Sequence, residues 1–225
     1  MAMILDKTIL DPSLDVRREV GITACVYQTT VGSKDNAEKD PQAVYGRQPS
    51  DPKATQKSSG KLSVSSSGKE YASTKVSTTR FGMLEVDLGL VLTFPDGLIG
   101  MEHCQRYIVV RHDDNSAFRW LQSLDDPTFA LPIIEPGEFC QQYAPTISDA
   151  DARALDLTAE VPTLLFTVVT VPKENPRAMT ANLLAPLVIN GITRHGKQVI
   201  IQNDGYTTRH KIIDELAKRQ KRKAA

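Results

Sequence analysis

Apolar and polar residues alternate through much of the second half of the chain, most clearly between Phe118 and Ile134. Phe118, Trp120 and Leu124 share one side of that pattern and Arg119 and Ser123 the other, with Gln122 alone out of step. A period of two predicts a half-buried strand, with its core face on Phe118, Trp120 and Leu124. Asp125, Asp126, Pro127 and Thr128 supply turn chemistry, because proline presets φ and Asp side chains accept from nearby backbone N–H groups. A second apolar strand begins at Phe129, so 118–134 is expected to be a β-hairpin.

The same pattern predicts other short strands. Phe81 to Val86 reads as one, Leu90 to Phe94 as a second stopped by Pro95, Asp96 and Gly97, and Tyr107 to Val110 as a third. Thr163 to Val171 is β-branched and almost wholly apolar, which predicts a central strand. Thr180 to Asn190 reads as another, with Pro186 arguing for a bulge or an edge. Lys197 to Gln202 is the last. Between them, Ser148 can cap a short helix that runs to about Leu157, with Asp151 at the capping-box position. At the C-terminal end, Ile212, Ile213, Leu216 and Ala217 fall on one helical face, followed by the basic run Lys218 to Lys223. Many short strands with one helix imply a mainly β fold: a small antiparallel barrel-like domain carrying a basic helical tail.

The N-terminal part differs. Val16 to Thr30 is compatible with a short strand or a poor helix. From Gly32 to Ser77, Ser, Lys, Gly, Pro, Asp and Gln dominate, and too few apolar side chains are present to offset the entropy of ordering the segment. The expected organisation is therefore a mostly disordered extension over 1–78, a β domain over 79–210 and a basic tail over 211–225.

Charge sharpens this division. The 225 residues carry 27 basic and 27 acidic groups, for a net charge of +0. Residues 80–210 hold 10 basic and 16 acidic groups, a net of −6, whereas 211–225 hold 6 basic and 2 acidic, a net of +4. An acidic body repels phosphate, so direct nucleic-acid binding is not expected and a basic partner is favoured. Cys25, Cys104 and Cys140 are too few and too scattered for a disulfide framework. The short apolar start Met3 to Leu5 is broken by Asp6 and does not read as a signal peptide. The apolar run from Leu164 to Val171 falls short of the roughly 18 residues of a membrane span. A soluble, cytoplasmic, monomeric protein with no membrane contact is expected.

Catalytic signatures are missing. There is no P-loop, G-x-S-x-G or H-E-x-x-H, and the histidines at 103, 112, 195 and 210 are scattered among turns. His103 and Cys104 are adjacent, but no further ligands stand at metal-binding spacing, so no metal and no cofactor is expected. Asp113–Asp114 and Asp125–Asp126 are paired carboxylates in turn contexts. With His112 they define an alternative reading, a ligand-binding or enzymatic barrel.

Several segments, in order, resemble the family of bacterial flagellar assembly factors called FliW. They are Thr79 to Gly82, Leu92 to Gly97, Gly100 with Glu102, Trp120 to Ser123 with Asp125 to Pro127, and Val171–Pro172. Met179 to Asn190, Gly196 to Val199 and Tyr206 to His210 complete the set. Two departures stand out: Ile99 replaces the proline and Met101 the aromatic of the family's loop. The resemblance implies a non-enzymatic, β-barrel-like protein that binds the translational repressor CsrA away from its RNA-binding surface and relieves repression of flagellin synthesis. It also implies that flagellin itself competes for the factor, as a chaperone-like partner. The residues it nominates for partner contact are Phe94, Asp96, Glu102, Gln122, Asp125, Asp126, Asn182 and Arg209.

Overall fold

In the computed structural model, the described residues are 3–6, 26–30, 63–64, 70–111, 116–203 and 205–224. Most of the expected N-terminal extension lies outside them, as do His112, Asp113, Asp114 and Asn115. The strands in chain order are β1 (Met3–Asp6), β2 (Val26–Thr30), β3 (Ser63–Val64), β4 (Glu70–Tyr71), β5 (Ser73–Thr78), β6 (Gly82–Asp87), β7 (Leu92–Thr93) and β8 (Arg106–Val110). They continue as β9 (Phe118–Ser123), β10 (Ala130–Ile134), β11 (Thr146–Ile147), β12 (Thr163–Thr170), β13 (Thr180–Ala181), β14 (Leu187–Asn190), β15 (Gly196–Gln198) and β16 (His210–Lys211). Among the described residues two α-helices accompany them, α1 (Asp149–Ala154) and α2 (Ile212–Ala224).

The architecture is mainly β and antiparallel, as expected, and β12 is its central strand. It pairs with β10 at Thr167 and Val168, with β2 at Thr163 and Leu164, with β14 from Thr163 to Phe166, and with β13 at Val169 and Thr170. Side chains alternate across a strand, and here both faces are buried. Leu165 and Val169 enter one core with Ile134, Phe139, Tyr143, Val188 and Ile212. Leu164 and Phe166 enter the other with Phe94, Tyr107, Leu121, Ile133, Leu187 and Ile189. That is why this strand is almost continuously apolar. The expected barrel is realised as a curled sheet. Strand β7 meets the turn leading into β15 at one parallel bridge, Thr93 with His195, with no ladder between them among the described residues.

The hairpin at 118–134 forms with Gln122 opposite Ala130 and Phe118 opposite Ile134. Its faces correct the expectation. Arg119 and Leu121 are the buried side, whereas Phe118, Trp120 and Leu124 are only partly covered. Periodicity sets which residues share a face but not which face is deeper. An arginine can occupy the deep face because Glu135, 2% exposed, forms an ion pair with it, and the Arg119 guanidinium lies 5.6 Å from the Phe166 ring centroid. Trp120 is instead covered by the β5–β6 hairpin, with Phe81 edge-on at 6.0 Å and Arg80 over its ring at 4.0 Å.

Other expectations shift in detail. Within the tether expected through Ser77, β3 pairs with β4, and from Ser73 β5 pairs along its whole length with β6. The strand expected over 90–94 is a 3₁₀ turn, Leu88–Leu90, followed by β7. Pro186 lacks an N–H for the ladder, and the strand expected over 180–190 divides into β13 and β14. The Asn182 side chain accepts from Ala185 N across the gap. Strand β15 ends at Gln198, short of the expected Gln202. Helix α1 stops at Ala154, before the expected Leu157. Ser148 caps its start, accepting from Asp151 N, and Asp156 (φ 50°) ends it with Leu157 N donating to Ala152 O. The buried Asn190 carboxamide then donates to Leu155 O and Asp156 O and accepts from Ile192 N and Thr193 N, tying the helix end to the β14–β15 turn. Helix α2 matches its prediction but docks on Ile212 and Leu216, with Ile213 and Ala217 exposed.

Two outcomes follow for stability. Arg119→Ala strands a buried carboxylate and is expected to cost about 3–5 kcal/mol in urea unfolding, whereas Arg119→Met with Glu135→Leu costs less than half as much. Equal losses would refute the ion-pair account. Asn190→Ala leaves several buried backbone groups unpaired and is expected to cost on the order of 2–3 kcal/mol, read as a lowered denaturation midpoint.

Candidate partner-binding site

Residues 94–104 leave the end of β7 as three successive turns. Gly97 N donates to Phe94 O at 2.8 Å, Met101 N to Leu98 O at 2.7 Å, and Cys104 N to Met101 O at 3.1 Å. Gly100, at φ +83°, occupies the third position of the middle turn, where left-handed backbone favours glycine. Gly97 is left-handed as well, and a Cβ there would stand 2.5 Å from Glu102 Cα. Side chains hold the loop down from several directions. Glu102 accepts from Gly100 N at 2.8 Å, and Gln198 accepts from Ile99 N at 3.0 Å while donating to Ala185 O at 3.2 Å. Gln105 donates to Pro95 O at 2.7 Å. The Glu102 carboxyl sits below its usual pKa, chiefly because of the Gly100 bond.

Beneath the loop, Phe94 and Leu98 are buried, and Met101 packs beside them against the same core. Ile99 points outward at 61% exposure. It lines a groove of about 390 Å³ together with Ile200, which comes from the segment after β15 and is 63% exposed. Lys197 lies along the groove between two acids, 3.0 Å from Asp151 and 3.8 Å from Asp96. Its hydrogen bond to Asp151 raises the lysine's pKa. Burial pushes Asp151 up, but the Ser148 hydroxyl and Lys197 outweigh it and hold the carboxyl low. The groove therefore has apolar walls and an acidic rim with one neutralising lysine.

The turn at 123–129 packs against the end of this loop. Asp125 accepts from Gln105 N at 2.8 Å, Arg106 N at 2.7 Å and Arg106 Nε at 2.7 Å. Burial raises its proton affinity, yet these donors prevail and keep it ionised below the usual range. Asp126 accepts from Thr128 N and Oγ1, which lower its pKa. Gln122 is fully buried and donates to the carbonyls of Ser123, Pro127 and Phe129. Its place out of the hydrophobic pattern is thus explained by the turn that it ties together.

Of the eight residues nominated from sequence, Asp96 and Glu102 line the groove. Asp125 and Asp126 stand beside residues 103–106, next to it. Phe94 and Gln122 are interior and support the surface from below. Asn182 closes the gap between β13 and β14, and exposed Arg209 immediately precedes β16, which pairs with β13. The sequence reading missed Asp151, Lys197 and Ile200 as one surface. A signal for Ile200 exists: with Val199 and Ile201 both buried, alternation turns the middle residue outward. Nothing local links Asp151 to Lys197.

Comparison with known proteins agrees with this architecture. A family model described as FliW protein matches residues 75–212. The flagellar assembly factor of Leptospira biflexa is 37% identical over 144 residues, 64% of this chain and 94% of the relative. That of Bdellovibrio bacteriovorus is 38% identical over 144 residues, 64% of this chain and 82% of the relative. A crystal structure of the flagellar assembly factor FliW aligns with a TM-score of 0.57 at 30% identity, covering 62% of this chain and 96% of the other. With the family match spanning more than half its length, this chain belongs to the FliW family of flagellar assembly factors.

Proposed function

We propose that this flagellar assembly factor acts in the cytoplasm by binding rather than by catalysis, taking the translational repressor CsrA and flagellin as alternative partners. Engagement of CsrA away from its RNA-binding surface lowers its affinity for flagellin messenger RNA through coupling between the two sites. Flagellin, by competing for the factor, keeps its own translation repressed until it is exported.

The observation that carries this reading is the groove between the 94–104 loop and the segment after β15. Two exposed isoleucines lining one groove with an acidic rim are the anatomy of a protein-binding patch. A repressor that grips RNA is basic, and the acids at 96, 102, 125 and 126, within a body of net charge −6, favour its approach. Among the described residues no helix is long and apolar enough to cross a membrane. The Asp pair at 125–126 is held ionised by several donors, a state suited to fixing a turn and ill suited to exchanging protons near neutral pH.

Titration calorimetry of the full chain with purified CsrA and with flagellin tests the proposal; binding to neither would sink it. Ile99→Ser with Ile200→Ser is expected to weaken at least one complex about tenfold, near 1.4 kcal/mol, with little change in thermal stability because both side chains are exposed. Asp96→Asn is expected to slow association with CsrA a few-fold at low salt, and the difference should fade near ~1 M salt, where the screening length falls to about 3 Å.

A further inference from the structure

At the opposite end of the first core, three ligand-type side chains from different elements converge. Cys140 follows the 3₁₀ turn Pro136–Glu138, with its N–H donating to Pro136 O at 2.8 Å. His210 opens β16, and Glu215 lies in the first turn of α2. Each offers one ligand atom, and these atoms all lie within 4.8 Å of one another. His210 Nε2 is 3.3 Å from a Glu215 oxygen. We propose that Cys140, His210 and Glu215 form a binding site for a zinc-class divalent cation.

The chemistry of the donor set supports the assignment. Thiolate, imidazole and carboxylate together suit a borderline-soft cation, and three protein ligands leave a fourth position open. Tetrahedral bonds of about 2.0–2.3 Å place ligand atoms roughly 3.3–3.7 Å apart, so side-chain adjustments on the order of an ångström complete the site. A cavity of about 400 Å³ reaches Cys140 and Glu215 and gives access and room for a water ligand. Gln142 and Tyr206 line it as well, as do two cations, Lys218 and Arg219, while His210 stands behind its wall. Burial first, and the Glu215 charge second, keep the Cys140 thiol protonated above its usual range. A dication reverses that balance: the thiol proton is released to solvent, and the thiolate and carboxylate together neutralise the metal. Lys218, which now donates to Glu215 at 2.8 Å, sits on a side chain 61% exposed and is able to swing into water.

The frame behind the ligands is firm. Ile212 is fully buried, Arg219 donates to Glu138 O at 2.9 Å, and the Phe139 ring centre lies 6.3 Å from that of His210. A second group, His103, Cys104 and Asp126, also converges, although sequence spacing pointed to no third ligand there. Its Asp126 Oδ1 already accepts two hydrogen bonds from Thr128, and its Cys104 is sealed in the second core. The Cys140 group has the open cavity.

Cobalt(II) titration of the untagged full chain, stripped with a chelator, provides the test. One equivalent is expected to bind with a near-ultraviolet thiolate-to-cobalt band and intense visible bands of tetrahedral cobalt. Cys140→Ser should abolish the thiolate band, and Glu215→Gln should weaken affinity at least tenfold. Absence of the band, its survival in Cys140→Ser, or unchanged affinity in Glu215→Gln would each overturn the inference. Far-ultraviolet circular dichroism verifies that the variants fold, and if Cys140→Ser does not, the near-isosteric Glu215→Gln decides alone.

Discussion

Everything in this fold hangs on the burial of β12 on both faces. A strand with one wet face needs only alternating apolar residues, but β12 feeds Leu165 and Val169 into one core and Leu164 and Phe166 into the other. Its neighbours inherit the constraint. Ile133 and Ile134, and then Val188 and Ile189, divide between the same two cores residue by residue. A slip of one residue in any of these strands would exchange the two cores' side chains. The antiparallel register along β10, β12 and β14 is therefore set by two packing problems solved together.

That frame explains why polar groups can be placed deep inside. Arg119 lies on the second-core face of β9, opposite Ile133, and is tolerated because Glu135 neutralises it there. Asn190, at the end of β14, satisfies four backbone groups of α1 and the following turn. Gln122 does the same for the hairpin turn. Asn190 has partners for both ends of its carboxamide and Arg119 has its carboxylate, while Gln122 donates to three carbonyls with its Oε1 left without a partner among the described residues. Buried polar groups matched in this way favour one unique structure.

The groove rests on the same frame. Phe94 and Leu98 anchor its loop in the second core, and Gly196 is so close to Phe94 that a Cβ would approach the ring to 2.6 Å. The loop and β15 are thereby pinned side by side, which keeps Ile99 and Ile200 on the lining of one groove. The surface is pre-formed by packing below it, so little ordering remains to be done when a partner arrives.

Strand character, the central position of β12, the α1 cap at Ser148 and the helix after His210 were all legible in the sequence, because each arises from residues a few positions apart. So was the ordered set of motifs that marks the family. The deeper face of the 118–124 strand was not: Arg119 and Trp120 could be ranked only once Glu135 and Phe81 were in place. Nor was the strand at Ser73–Thr78, whose polar residues find order only through their partner β6. The convergence of Asp151 with Lys197, and of Cys140 with His210 and Glu215, joins segments tens of residues apart. Local pattern determined which elements form and which residues share a side. Only the tertiary structure decided which side is deepest and which distant polar groups meet, because both depend on long-range packing that no short window contains.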